Sequence, residues 1–371
     1  MSAQTPACQL LERQQDKYSA LWAIGPPIDS WLIDQSAGVV SGDHTVLGEW
    51  QAKGKQARTP FDGAAGEPFG KKPCKEPCKK PCKEIEIVLF WPKAHQLGIW
   101  WLTWLCEQLP TGTPISIVGE HQGGIKRVPK ILEELGMTWD KLDNARRCSL
   151  FVTQTMALAS TSDSAWQNVE ALGLTLVSHP GVFGHGKVDE GTLLMLESLE
   201  NIKSIESSLP PGKPLKVLDM GCGDGIISAW LATRGHHVTA VDISAFAVEA
   251  CKRTLAANGI EGRVLPSDVF SALEGEQFDW IISNPPFHKE RDISYGPSQR
   301  LISAAPEHLN TGGHLVIVAN GFLPYPDHLQ RAFQDFHTLA DNRRFKVYGA
   351  IKSPPESAQR RANVSRRSRS R

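Results

Sequence analysis

From about residue 171 to residue 352 the apolar positions alternate between two spacings. LKVLDM (215–220), HVTAVDI (237–243), GRVLPSD (262–268), FDWIIS (278–283) and GHLVIVA (313–319) are short apolar runs of strand length. Between them, GIISAWLATRG (225–235) and SAFAVEACKRTLAANG (244–259) repeat their apolar residues at helical spacing. Ser244 suits the N-cap of the second helix and Asn258-Gly259 its stop. HTLADNRRFKVYGAI (337–351) reads as a hairpin turning at Asp341-Asn342. Strands alternating with helices bury both faces of a parallel sheet. The pattern predicts an α/β fold: five parallel strands, doubly wound, ending in an antiparallel hairpin.

The first half repeats this pattern at an offset of roughly 200 residues. LPTGTPISIVGE (109–120) lies on LNTGGHLVIVAN (309–320), and DNARR (143–147) lies near DNRR (341–344). FWPK (90–93) sets Pro92 against Pro285, and ALWAIGPPIDSWL (20–32) matches KVLDMGCGDGIIS. Blocks in one order at a nearly constant offset indicate duplication. The expected division is a first domain over 1–165, a second over 171–353 and a tail over 354–371. Residues 51–84, rich in Lys, Pro and Gly, are expected to be a low-complexity insertion in the first copy. That copy carries Gly25-Pro26-Pro27 where the second has Gly221-Cys222-Gly223-Asp224-Gly225. It carries Trp91-Pro92-Lys93 where the second has Asn284-Pro285-Pro286-Phe287. Proline lacks an N–H and bars the close approach that glycine allows, so the first copy should be degenerate.

Net charge is zero, but it is unevenly placed. Residues 357–371 carry six Arg and no acid, and 71–84 carry six Lys against Glu76 and Glu84, leaving −10 for the remainder. The most apolar run, Leu97–Cys106, has ten residues where a membrane span needs about 20. No basic-then-apolar leader opens the chain. Eight Cys in 371 residues do not make a disulfide scaffold. These features lead us to expect a cytoplasmic protein. Cys74, Cys78 and Cys82 lack a paired C-x-x-C form and a nearby His, so no metal is expected.

Chemistry concentrates at the ends of the second-half strands. VLDMGCGDG closes a strand and opens a helix, and Gly221, Gly223 and Gly225 permit a tight turn with backbone close to a ligand. Asp242 ends the next strand, where a carboxylate can take both ribose hydroxyls. A dinucleotide site would read G-x-G-x-x-G, yet Ile226 follows Gly225, and Asp219 suits an ammonium better than a pyrophosphate. Together these residues resemble the class I S-adenosylmethionine-dependent methyltransferases. That resemblance implies S-adenosylmethionine as cofactor and tandem Rossmann-like domains. It also places Ile243 in the same pocket, with Asp268 accepting from the adenine amine and Val269 on the ring.

The most specific motif is Ser283-Asn284-Pro285-Pro286-Phe287. An exocyclic or amide NH₂ is a poor nucleophile because its lone pair is delocalised. The Asn284 amide oxygen and the Pro285 carbonyl can each accept one N–H and aim that lone pair, Pro286 stiffens the loop, and Phe287 can stack on a flat base. Such a loop serves adenine N6, guanine N2 and glutamine N5 alike. PGVFGHGKVDEGTLLML (180–196), VANGFLPYPDHL (318–329) and RFKVYGAIK (344–352) narrow the choice. With the loop they resemble the RsmC-type ribosomal RNA guanine-N2 methyltransferases. This family resemblance implies guanine 1207 of 16S rRNA as target, small-subunit rRNA or the assembled small subunit as partner, a monomer, and Thr192 against the methionine end of the cofactor. Two rivals stand beside it: adenine-N6 or glutamine-N5 transfer by the same loop, and a non-catalytic RNA-binding assembly protein. Arg360, Arg361, Arg366, Arg367, Arg369 and Arg371 in the tail suit RNA phosphates.

Overall fold

The computed structural model describes residues 2–18, 21–63, 69, 86–201, 213–285, 296–321, 323–333 and 335–354. The chain forms two compact units. The first holds residues up to 167 with 179–181 and 244–246, and the second holds 168–178, 182–243 and 247 onward.

The first unit is a seven-stranded sheet in the order β3-β2-β1-β4-β5-β7-β6. Its strands are β1 (Leu21–Ile24), β2 (Ser36–Val40), β3 (Gln56–Arg58), β4 (Glu86–Phe90), β5 (Pro114–Glu120), β6 (Trp139–Ala145) and β7 (Cys148–Gln154). The helices are α1 (Pro6–Glu12), α2 (Ser30–Gln35), α3 (His44–Ala52), α4 (His95–Gln108) and α5 (Val128–Glu134). Five strands run parallel, and β6 and β7 close the sheet as an antiparallel hairpin. The low-complexity insertion is shorter than the expected 51–84. The insertion does not begin at 51, because α3 continues to Ala52 and Gln56–Arg58 pair in parallel with β2. The polar composition that suggested a loop is that of a short edge strand, where only Ala57 packs on the core. Residues 64–68 and 70–85, including Cys74, Cys78 and Cys82, lie outside the described residues.

The two-stranded ribbon β8 (Gln167–Ala171) and β9 (Leu174–Ser178) precedes a second seven-stranded sheet. That sheet has the order β12-β11-β10-β13-β14-β16-β15, the same topology as the first. Its strands are β10 (Lys216–Met220), β11 (His237–Asp242), β12 (Arg263–Pro266), β13 (Phe278–Ser283), β14 (Leu309–Asn320), β15 (Phe336–Asp341) and β16 (Phe345–Ile351). The helices are α6 (Glu190–Asn201), α7 (Ile226–Ala232), α8 (Ala245–Ala257), α9 (Gly296–Ala304) and α10 (Tyr325–Phe333). The expected five parallel strands and terminal hairpin are present. β14 starts earlier than the apolar run suggested. Leu309 pairs with Phe278, and the register then shifts through Gly312 (φ +81°) so that His314 pairs with Trp280.

Both faces of this sheet are buried. Val217, Trp280, Ile282, Val316 and Val347 pack with Met195 and Leu196 of α6 and with Ile227 and Leu231 of α7. Leu218, Met220, Ile281, Ile317 and Tyr348 pack with Leu301 of α9 and Leu329 of α10. This two-sided burial is why the strands read as continuous apolar runs. Strand order reverses between β10 and β13, where Met220 pairs with Ser283 on one side and with Val241 on the other. In open α/β sheets, such a switch point opens a crevice at the carboxyl ends of the strands.

Candidate active site

Three chain segments meet at that crevice: the loop after Met220, Asp242 at the end of β11, and Asn284 after Ser283. Ser283 ties two of them together by donating its hydroxyl to the Met220 carbonyl at 2.7 Å. The amides of Gly221 and Cys222 both donate to the Val241 carbonyl, at 2.8 and 3.0 Å. The Gly223 amide donates to the Asp242 carboxylate at 3.1 Å.

The glycines differ in what requires them. Gly221 (φ +78°) and Gly223 (φ +55°) hold left-handed backbone, and a Cβ on either would meet nothing within 4 Å. They line open space. Gly225 (φ +85°) is a packing glycine, since its Cβ would lie 2.9 Å from the Cys251 sulfur and 3.0 Å from the Cys251 Cα.

Beneath the loop, Asp219 is wholly buried. Ser228 donates to its Oδ2 at 2.6 Å, while Oδ1 has no hydrogen-bond partner among the described residues. Burial pushes its carboxyl up to about 7 against the Ser228 bond, helped by the nearby Asp242 and Asp224 charges. Burial likewise raises Asp224 to about 6. An unmatched acceptor under a glycine cradle is costly unless a cation meets it. This set of acceptors fits a ligand with an ammonium group and a ribose, as S-adenosylmethionine has.

Asn284 is held from behind. Its Nδ2 donates to Asp189 Oδ1 at 2.9 Å and to Thr192 Oγ1 at 2.7 Å. A carboxylate oxygen only accepts, so the amide is oriented with Oδ1 turned away from Asp189. Asp189 also accepts from the amides of Gly191 and Thr192, at 2.9 and 3.2 Å, and thereby caps α6. Thr192 is thus buried against Asn284. Asp189 escaped the sequence reading. A signal was present, since an Asp directly before Glu190-Gly191-Thr192 and an apolar run is a helix start. Pro285 is buried beside Asn284, while Pro286 and Phe287 lie outside the described residues.

At the neighbouring turn the picture is different. Asp268 is gripped by Arg300 of α9 through two bonds of 2.8 Å, one to each carboxylate oxygen. The expectation of a carboxylate held ready for an adenine amine did not include this partner. Val269 adopts φ +52° and is fixed by Ser267, whose hydroxyl donates to its carbonyl at 2.7 Å. Ile243 is half-buried next to Asp242. The six tail arginines Arg360, Arg361, Arg366, Arg367, Arg369 and Arg371 lie outside the described residues.

The first unit fills its equivalent positions. Gly25 keeps a left-handed φ of +58°, but the Trp101 indole nitrogen lies 3.7 Å from where its Cβ would stand. Trp91 follows β4 where Asn284 follows β13, and its buried indole donates to His95 Nδ1 at 3.2 Å. Asp29 is consumed by the amides of Gln4, Thr5 and Trp31 and by the Thr5 hydroxyl.

The Methyltransferase small domain family matches residues 173–349, and the Methyltransferase small domain N-terminal family matches 67–168. With the switch-point crevice, these define an S-adenosylmethionine-dependent methyltransferase. A ribosomal RNA small subunit methyltransferase C from Chromohalobacter salexigens is 50% identical over 353 residues, 95% of this chain and 99% of that protein. The Escherichia fergusonii protein of the same name is 42% identical over 268 residues, covering 71% of this chain and 75% of its own. The chain belongs to the ribosomal RNA small subunit methyltransferase C family. Among solved structures, the T. thermophilus 16S rRNA N2 guanine-1207 methyltransferase, in complex with S-adenosylmethionine and guanosine, is similar to it. Identity is 26% and the TM-score 0.78, over 94% of this chain and 92% of that one. Among the described residues no helix is long and apolar enough to cross a membrane, and no group of His, Cys, Asp or Glu could hold a metal ion.

Proposed function

We propose that the second unit transfers a methyl group to the exocyclic N2 amine of a guanine in 16S rRNA, guanine 1207 by kinship with the T. thermophilus protein. The observation that carries the reading is the Asn284 amide, pinned through Nδ2 by Asp189 and Thr192 so that Oδ1 is left to accept. S-adenosylmethionine supplies an electrophilic methyl group on a positively charged sulfur. Asn284 Oδ1 takes one N–H of the amine and the Pro285 carbonyl takes the other. Both N–H bonds are then fixed in direction, and the lone pair points out of the base plane. No strong base is needed, because the amine nitrogen becomes acidic once alkylated. The rate gain comes from holding reactants in line. Phe287 stacks on the extruded base, and Pro286 stiffens the turn that carries it. Asp242 accepts the ribose hydroxyls and Asp219 meets the ammonium group. Thr192 borders the methionine end, Gly221, Gly223 and Gly225 shape the loop, and Ile243, Asp268 and Val269 border the adenine. The first unit, with Trp101 and Trp91 in the equivalent positions, binds no cofactor and serves RNA recognition. The tail arginines add phosphate contacts.

The test is direct. The protein is incubated with methyl-labelled S-adenosylmethionine and separated ribosomal subunits, and the labelled RNA is digested to nucleosides. Label in N2-methylguanosine from the small subunit supports the reading. Label in N6-methyladenosine, or in protein glutamine, refutes it.

A further inference from the structure

The β6–β7 hairpin turns through two residues only, since Ala145 pairs with Cys148 across Arg146 and Arg147. Both arginines have left-handed φ, +53° and +59°. Such a two-residue turn favours Asn-Gly, because Gly has no Cβ and the short Asn side chain bonds locally, whereas longer side chains are strained there. Strained residues at an exposed position direct attention to what their side chains do. Both are exposed, and neither guanidinium has an ion-pair or hydrogen-bond partner among the described residues.

The turn also sits at a particular place. Cys148 pairs with Glu120, the last residue of β5, and the His121 amide donates to the Arg147 carbonyl at 2.8 Å. The chain after His121 turns back through Gly124 into 125–127, whose Ile125 is buried while Lys126 and Arg127 are exposed. Four cations therefore gather at the carboxyl edge of the first sheet. On the strands that flank the turn, Glu120 lies opposite Cys148, and Asp143 is engaged by Gln14 and Arg13. The second unit repeats the turn only in part, since Arg344 there is ion-paired with Glu190. There Arg343 has φ +72°, and the Gly321 amide donates to the Arg344 carbonyl at 3.0 Å as His121 does to Arg147.

We propose that the Arg146-Arg147 turn, with Lys126 and Arg127 beside it, is a phosphate-gripping finger through which the first unit holds the RNA backbone. The proposal rests on the rRNA reading above, since it names the residues that engage that substrate. Guanidinium is the cation whose fork matches two phosphate oxygens, and a two-residue turn projects both forks from a rigid hairpin. The strain at the turn is retained because Asn-Gly would carry no charge.

The test uses the full chain with Arg146→Asn/Arg147→Gly, which relieves the turn while deleting both charges. Its melting temperature and its S-adenosylmethionine affinity should match or exceed those of the parent. Its dissociation constant for deproteinised 16S rRNA should rise by about 10- to 30-fold at about 0.15 M salt. The slope of log affinity against log salt should flatten by about 1.4 for single-stranded contacts or about 1.8 for duplex. Arg146→Lys/Arg147→Lys should keep the slope. Should the double variant lose its melting transition, Arg147→Gly alone is read, with half the change in slope expected. Unchanged RNA affinity and slope in a folded variant overturn the proposal, leaving another acidic partner for the turn. The two failures separate. Parent protein that moves no label to rRNA sinks the functional reading, whereas a normal parent with an indifferent variant sinks only the finger.

Discussion

Asp189→Ala tests the central geometry without touching a group that meets the substrate. In the folded protein Asp189 Oδ1 collects three N–H groups: Gly191, Thr192 and Asn284 Nδ2. The bond to Asn284 involves a carboxylate, and such bonds contribute about 1.5–3 kcal/mol. That is a factor of roughly 10–150 in favour of the amide orientation with Oδ1 free. Without it, Thr192 alone steers the amide, and loss of the α6 cap loosens Thr192 as well. A misplacement of about 1 Å can cost on the order of a hundredfold in rate. We therefore expect kcat to fall by about 10- to 100-fold. Cofactor affinity should fall by less than kcat does, because Asp242 and the glycine loop keep their bonds and only Thr192, at the methionine end, is loosened. Stability should fall by about 1 kcal/mol for the lost cap, a separate readout in thermal melting. Asp189→Asn keeps an acceptor for both the cap and Asn284, so it should recover most of kcat. The assay is labelled methyl transfer to small subunits at saturating cofactor, paired with calorimetry for S-adenosylmethionine. An Asp189→Ala enzyme with kcat within twofold of the parent would refute the orienting role.

Three further outcomes follow from the same site. Asp242→Ala should weaken S-adenosylmethionine binding by about 1–3 kcal/mol, the scale for hydroxyls left unpaired, and calorimetry with unchanged affinity removes Asp242 from the ribose site. Gly225→Ala should destabilise the fold by about 2–4 kcal/mol, because a Cβ there runs into Cys251 and sits at positive φ. Denaturant melts showing a loss under about 0.5 kcal/mol would contradict the packing role. Asp219, raised from 3.8 to about 7, holds its proton more tightly folded than unfolded, so its contribution to stability declines as pH rises from about 4 to 7. An ammonium ligand favours the ionised form, so cofactor affinity should rise between about pH 6 and 8 with release of a proton. Calorimetry in buffers of different ionisation heat measures that proton, and Asp219→Asn should release none. Equal proton release by the variant would move the effect elsewhere.

Much of this molecule is legible in one dimension. A parallel sheet buried on both faces writes each strand as an apolar run, and crossover helices separate the runs. β10, β11, β13 and the closing hairpin therefore stand in the sequence near their structural positions. The duplication was legible for the same reason, because equal topology demands equal patterning, and both sheets share one strand order. Glycine at a strand-to-helix turn and Asn284 after a strand are likewise local features, set by backbone sterics and by the chemistry of one side chain.

What the sequence could not carry are relations between residues distant along the chain. That Gly225 is required by Cys251, that Arg300 grips Asp268 and that Asp189 orients Asn284 are facts of tertiary packing. Nothing in the local spacing of 95 residues links Asp189 to Asn284. The edge strand β3 was missed because an edge needs little apolar surface, so its polar residues read as a loop until β2 supplied a partner. The strain at Arg146 and Arg147 is a property of dihedral angles that their type alone would not suggest. Composition and period determine which segments bury their surface. Which hydrogen bonds aim the groups at the crevice is decided only when β10, β11 and β13 end side by side.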